Sequence, residues 1–161
     1  MKKIVFMTMG LLFLVSAAAL SQNKALGLRL GGGNGVGAEI SFQTPFYNNR
    51  AELDLGFGSS SNWNWWKLTG LYQWVMPIDD GFYWYLGLGP ALGSWDYKGK
   101  YPELDDNDGG MSLGLALNAG VEYTFSEVPI QLSIDTRPEL GLINNGNDGW
   151  FGLGLGIRYV F

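Results

Sequence analysis

Over residues 151–161 the chain alternates without a break. Phe151, Leu153, Leu155, Ile157, Tyr159 and Phe161 occupy one set of positions, and Gly152, Gly154, Gly156, Arg158 and Val160 the other. Side chains of a strand point alternately to its two faces, so this segment reads as a strand with one greasy face and one small or charged face. The period recurs along the chain. In 111–125, Leu113, Leu115, Leu117 and Val121 oppose Gly114, Ala116, Asn118, Gly120 and Glu122; in 130–142, Leu132, Ile134, Leu140 and Leu142 oppose Gln131, Ser133, Asp135, Arg137 and Glu139. Phe82, Trp84, Leu86, Leu88 and Leu92 oppose Tyr83, Tyr85, Gly87, Gly89 and Gly93. Earlier segments follow suit: Leu26, Leu28 and Leu30 around Arg29; Val36, Ala38, Ile40 and Phe42 around Glu39; Leu53, Leu55 and Phe57 around Glu52 and Asp54. The fourth is less clean, because Leu71 and Val75 join Lys67, Thr69 and Gln73 on the polar side.

Eight such strands, with no helical periodicity and no apolar run of helix-spanning length after position 21, predict an all-β fold: an eight-stranded antiparallel up-and-down β-barrel. Connections alternate in character. Compact turns are predicted at 45–49, 76–81 and 126–129, and longer ones at 31–35, 58–64, 96–110 and 143–149.

The first 21 residues form a different kind of segment. Lys2 and Lys3 precede an apolar stretch over 4–15 and a small-residue stretch ending in Ala17-Ala18-Ala19-Leu20-Ser21. This is the layout of a cleavable secretory signal, too short in its apolar part to span a bilayer. Residues 1–21 are therefore expected to be removed, at a site just before Leu20 or Gln22, leaving 22–161 as a single barrel domain.

Which face looks outward decides between a membrane and a water-soluble barrel. The apolar face carries no Asp, Glu, Lys or Arg in any of the eight segments, and its aromatics gather near strand ends. Both properties suit hydrocarbon flanked by two aromatic girdles. The opposite face is mostly Gly, Ala, Ser and Thr with isolated charges, too sparse for a soluble surface. Lipid is thus the expected solvent of the greasy face, and a secreted soluble barrel with that face as its core is the alternative.

The inward set then holds Arg29, Lys67, Arg137 and Arg158 against Glu39, Glu52, Asp54, Glu122, Asp135 and Glu139. Buried charges persist when paired, so a structural salt-bridge network is expected inside the barrel, with an ion or proton path as the alternative. An eight-stranded barrel is only wide enough for side chains to fill. The chain has no His and no Cys, which removes the commonest general base, thiolate metal sites and disulfides. No cofactor is expected. Without Lys2 and Lys3 the chain carries eight basic against fifteen acidic residues, a net charge of −7, which disfavours nucleic acid as a partner. In the predicted loop 96–110, Glu103, Asp105, Asp106 and Asp108 fail the calcium-loop spacing and read first as solvated loop charge; with Trp95, Tyr97 and Tyr101 they are a candidate external contact loop for a protein or glycan.

The closing Gly156-Ile157-Arg158-Tyr159-Val160-Phe161 resembles the C-terminal signature of bacterial outer-membrane proteins. With the strand count, the chain resembles the small OmpX-type and OmpA-barrel family. The resemblance implies an address in the outer membrane of a Gram-negative bacterium, contact with its lipid, and recognition of Tyr159 and Phe161 by the barrel-assembly machinery. It does not transfer an activity. PagL-like and PagP-like membrane enzymes of this barrel size depend on a His that this chain lacks. A non-enzymatic structural or surface-interaction role is therefore expected. The alternatives are a small porin or carrier for an apolar solute, as in OmpW-like barrels, and a His-free lipid-modifying enzyme.

Overall fold

The computed structural model describes residues 24–31, 37–59, 63–97, 109–143 and 152–161. The leader, Val36, Phe151, Tyr101, Glu103, Asp105, Asp106 and Asp108 lie outside them. Among the described residues there are nine strand segments: β1 (Ala25–Gly31), β2 (Ala38–Phe46), β3 (Asn49–Ser59), β4 (Trp63–Asp79), β5 (Phe82–Tyr97), β6 (Gly109–Thr124), β7 (Ile130–Thr136), β8 (Glu139–Ile143) and β9 (Leu153–Val160). All pairings are antiparallel: successive strands pair from β1 to β7, β8 also pairs with β6, β7 pairs with β9, and β1 with β9 closes the ring. β1 and β9 pair from Ala25 opposite Val160 to Gly31 opposite Gly154, and Lys24 and Phe161 exchange two further backbone hydrogen bonds.

β7 and β8 are two halves of one barrel strand. Both lie against β6 in the same register, Thr136 opposite Ala119 and Glu139 opposite Ala116. The interruption falls at Pro138, which has no N–H to give to a ladder, although its carbonyl still accepts from the Leu117 N–H at 2.9 Å. Nine segments thus make a closed eight-stranded meander.

The strands outrun their expected lengths. β5 continues through Trp95, Asp96 and Tyr97, and β6 starts at Gly109, so both ends of the expected 96–110 loop are strand. Likewise β3 reaches Ser59 and β4 begins at Trp63, within the expected 58–64 connection. In a ring every strand has a neighbour on each side, and the ladder runs as far as that neighbour does, beyond the point where alternation weakens. At the other end, the expected 45–49 turn narrows to Tyr47-Asn48, between the paired Phe46 and Asn49. The expected 76–81 turn narrows to Asp80-Gly81, with a bulge between Pro77 and Asp79.

Gly81 takes φ 78°, and a Cβ there would stand 2.8 Å from the Tyr123 ring and 2.9 Å from the Thr124 carbonyl oxygen. We expect Gly81→Ala to cost about 1–2 kcal/mol, the usual cost of a left-handed residue with a Cβ. The urea midpoint of the barrel folded in lipid vesicles measures it; an unchanged midpoint would show that the turn tolerates a side chain.

The partition of side chains is inverted relative to a soluble protein. Among the described residues sixteen buried side chains are polar or charged and five are hydrophobic. The exposed set is dominated by Leu, Ile, Phe, Trp and Tyr, including Leu55, Phe57, Trp66, Leu86, Leu132, Leu155 and Ile157. Among the described residues, a buried apolar cluster of Leu71, Ala91 and Ala116 lies inside the ring. Aromatic rings gather at the end with the tight turns: Phe82 is 4.4 Å from Tyr123, Tyr123 4.7 Å from Phe125, and Tyr72 5.1 Å from Trp74.

Candidate functional site

The interior is held by arginines that reach across it. Arg29 on β1 faces its register partner Glu39 on β2 at 3.2 Å and turns its Nε to Asp135 of β7 at 3.0 Å. Arg137, at the break between β7 and β8, contacts Glu39 at 2.9 Å, Glu52 at 3.5 Å and Asp54 at 2.5 Å. Its partners Glu52 and Asp54 sit on β3, diametrically opposite in the ring of eight. Arg158 on β9 reaches Glu52 at 3.3 Å while donating to Ser41 at 2.9 Å and Ser133 at 2.8 Å. Lys67 on β4 pairs with Glu139 on β8.

All ten residues of the expected charge set point inward and take part in ion pairs. An eleventh, Arg50, joins them. It forms a bidentate pair with Glu122 at 2.7 and 2.8 Å, donates to Gln73 at 2.8 Å, and stacks its guanidinium 5.2 Å above the Tyr85 ring. Fork-to-fork pairs of this kind are the strongest side-chain hydrogen bonds available. Arg50 is absent from the expected set because it directly follows the expected 45–49 turn, ahead of the alternation around Glu52 and Asp54. Two-residue spacing, Arg50, Glu52, Asp54, was the signal that could have found it.

Neutral polar groups fill the gaps. Gln43 donates to Glu52, Gln73 to Asn118 at 2.8 Å, and the Tyr85 hydroxyl to Asp135 at 3.3 Å. Glycines make room for these long side chains. A Cβ at Gly120 would meet the Tyr85 ring at 2.6 Å and Asp135 Cβ at 2.7 Å. Arg29, Arg158 and Tyr85 are each at most 2% exposed, so the centre of the barrel is packed with side chains. Six carboxylates face five cations in this set, and each of the six has a cationic partner.

Of the expected external contact residues, only Trp95 has a described side chain. It is half-buried and belongs to the inner wall: its register partners are Trp65 and Gly110, and a Cβ on Gly110 would lie 2.7 Å from its indole. The expectation that Trp95 is an outward loop residue is therefore corrected, because the β5–β6 ladder carries it past the predicted strand end. Tyr97 is in β5, opposite Trp63. Tyr159 lies on the exterior, 57% exposed, with its ring 6.2 Å from that of Phe161.

A closed ring of eight antiparallel strands with an apolar exterior and an ion-paired interior defines the transmembrane β-barrel class. The fold is that of the small eight-stranded outer-membrane barrels. It is similar to Neisserial surface protein A (NspA), at 17% identity and a TM-score of 0.59, covering 87% of this chain and 95% of that one. It is similar to the N-terminal β-barrel domain of Pseudomonas aeruginosa OprF, at 18% identity and a TM-score of 0.57, covering 87% and 98%. It is also similar to Ail, the attachment invasion locus protein of Yersinia pestis, at 13% identity and a TM-score of 0.56, covering 88% and 100%. No protein-family model and no curated protein sequence matches the chain.

Proposed function

We propose that this chain is a non-enzymatic outer-membrane protein of a Gram-negative bacterium: a rigid barrel, freed of residues 1–21, that stands in lipid and presents its longer connections to the outside. The inverted partition of side chains carries this reading. Water does not favour Leu155 at 58% or Phe57 at 63% exposure around a core of arginine and glutamate, whereas lipid does. Tyr159 and Phe161, at the closing strand, are the residues we assign to recognition by the barrel-assembly machinery. The connection between β5 and β6, with Tyr101, Glu103, Asp105, Asp106 and Asp108, is the segment we assign to a protein or glycan partner.

A conduit for small solutes is the second reading. It is favoured by the buried Asp54 Oδ1, Thr69 Oγ1 and Arg137 Nε, which have no protein hydrogen-bond partner and belong to neighbouring residues. Conductance in planar bilayers tests the pair. For the rigid barrel we expect no stable unitary conductance, because the arginine staples cross the lumen; reproducible single-channel steps would establish the conduit instead. A monodisperse protein that needs no amphiphile in water would defeat both.

A further inference from the structure

The exterior of the barrel is not uniformly covered. Along β4 the outward positions are Trp66, Leu68, Gly70, Tyr72 and Trp74, so a single glycine interrupts a row of large side chains. On β3 its register partner is Leu53, with the small Ala51 one outward position further on, opposite Tyr72, and Pro90 lies across from it on β5. The result is a groove of about 460 Å³ with an almost wholly apolar lining. Gly70, Ala51 and Pro90 form its floor, and Phe42, Phe46, Tyr72 and Leu88 its rim.

The wall beneath is also irregular. β4 and β5 pair at Thr69 with Ala91 and at Tyr72 with Leu88, in one register, but the two positions between are unpaired. Pro90 still pairs with Leu115 of β6, so its missing N–H falls on the β4 side. Gly89 tolerates no side chain there, since a Cβ would collide with the Gly70 carbonyl oxygen. A proline and a bare glycine in the middle of a closed sheet weaken the ladder, and here they coincide with the one missing outward side chain of β4.

We infer that this groove is a docking site for one acyl chain of a phospholipid, entered from the end of the barrel that carries the tight turns. The inference rests on the reading of the exterior as lipid-facing, and the groove is continuous with that surface. Its direction follows from the rim. Phe46 ends β2 at the Tyr47-Asn48 turn, and Tyr72 is fixed there, its hydroxyl accepting from Asn49 Nδ2 at 2.8 Å and its ring 6.1 Å edge-on from Phe46. Aromatic side chains of this kind mark the headgroup level. From that level the groove runs inward to Gly70 and Pro90, so a headgroup at the rim and a chain along the floor match its polarity. A volume of this size falls in the range of small-molecule sites.

Filling the groove is sterically simple. A Cβ on Gly70 would meet only Leu53 Cδ1, at 3.9 Å. The test uses the mature barrel folded into dioleoylphosphatidylcholine vesicles, extracted in mild detergent, and weighed by native mass spectrometry. We expect wild type, and Ala119→Leu as a filled position elsewhere on the exterior, to retain one phospholipid. Gly70→Leu should retain at least tenfold less, and Ala51→Leu, at the neighbouring floor position, provides a second filling variant should the first not fold. Equal retention by the filled and unfilled proteins would overturn the proposal. So would a wild-type barrel that is heat-modifiable yet carries no lipid, or a dimer that Gly70→Leu dissociates. A protein monodisperse in water without amphiphile would remove the membrane reading itself.

Discussion

Leu155→Arg is expected to abolish most folding into lipid vesicles, while Gly37→Arg folds at wild-type yield. Leu155 is 58% exposed, the third residue of β9, flanked by the glycines that face the lumen. It stands six residues from Phe161, which at about 3.3 Å per residue and a tilt near 40° places it roughly 15 Å up the wall, near the centre of the apolar band. A cation there costs about 2–4 kcal/mol. Gly37 is the suitable control because a Cβ there meets nothing within 4 Å and the residue lies at the open end of the barrel. Gly110 would be a poor one, since its Cβ would press on the Trp95 indole. Folding yield is read from the heat-dependent gel shift. Equal yields for the two arginine variants would mean that lipid does not touch the face carrying Leu155.

Arg137→Met is the second large effect. Arg137 neutralises Asp54 and shares Glu39 and Glu52 with Arg29 and Arg158, so its loss strands at least one buried carboxylate. Breaking a buried pair from one side costs about 3–5 kcal/mol. We expect a loss of that size in urea unfolding from vesicles, and the double variant Arg137→Met/Asp54→Asn to recover at least half of it, because the stranded charge is then gone. Arg137→Lys should fall between, keeping the charge but losing the fork that reaches Glu39 and Asp54 together. A single variant as stable as wild type would show that the lumen is hydrated well enough to screen its charges.

Much of the barrel was legible in period-two alternation, because in a strand the face of a residue is set by parity alone. Glu52 and Asp54 are buried while Leu53 and Leu55 are exposed, and this follows from their spacing whichever strands lie alongside. Strand ends were not legible. β5 runs to Tyr97 because β4 and β6 extend beside it, and Trp95 faces the inner wall for the same reason. Pro138 divides one strand into two segments without disturbing its register, a matter decided by the unbroken β6 on the other side. Arg50 was obscured by a turn predicted three residues too long, over 45–49 where only Tyr47-Asn48 turn.

Parity and composition, acting within each segment, determined that the chain has strands with one uncharged face, that it lacks histidine and cysteine, and that its charges share the other face. Closure of the ring decided the rest. Which carboxylate each arginine meets depends on strands far apart in the chain, as with Arg158 and Glu52 at a separation of 106 residues, and on tilt and stagger that bring opposite walls to one level. The groove over Gly70 has the same origin, because a missing side chain becomes a site only when register sets Pro90 across from it and the small Ala51 diagonally next to it, and register belongs to the assembled sheet.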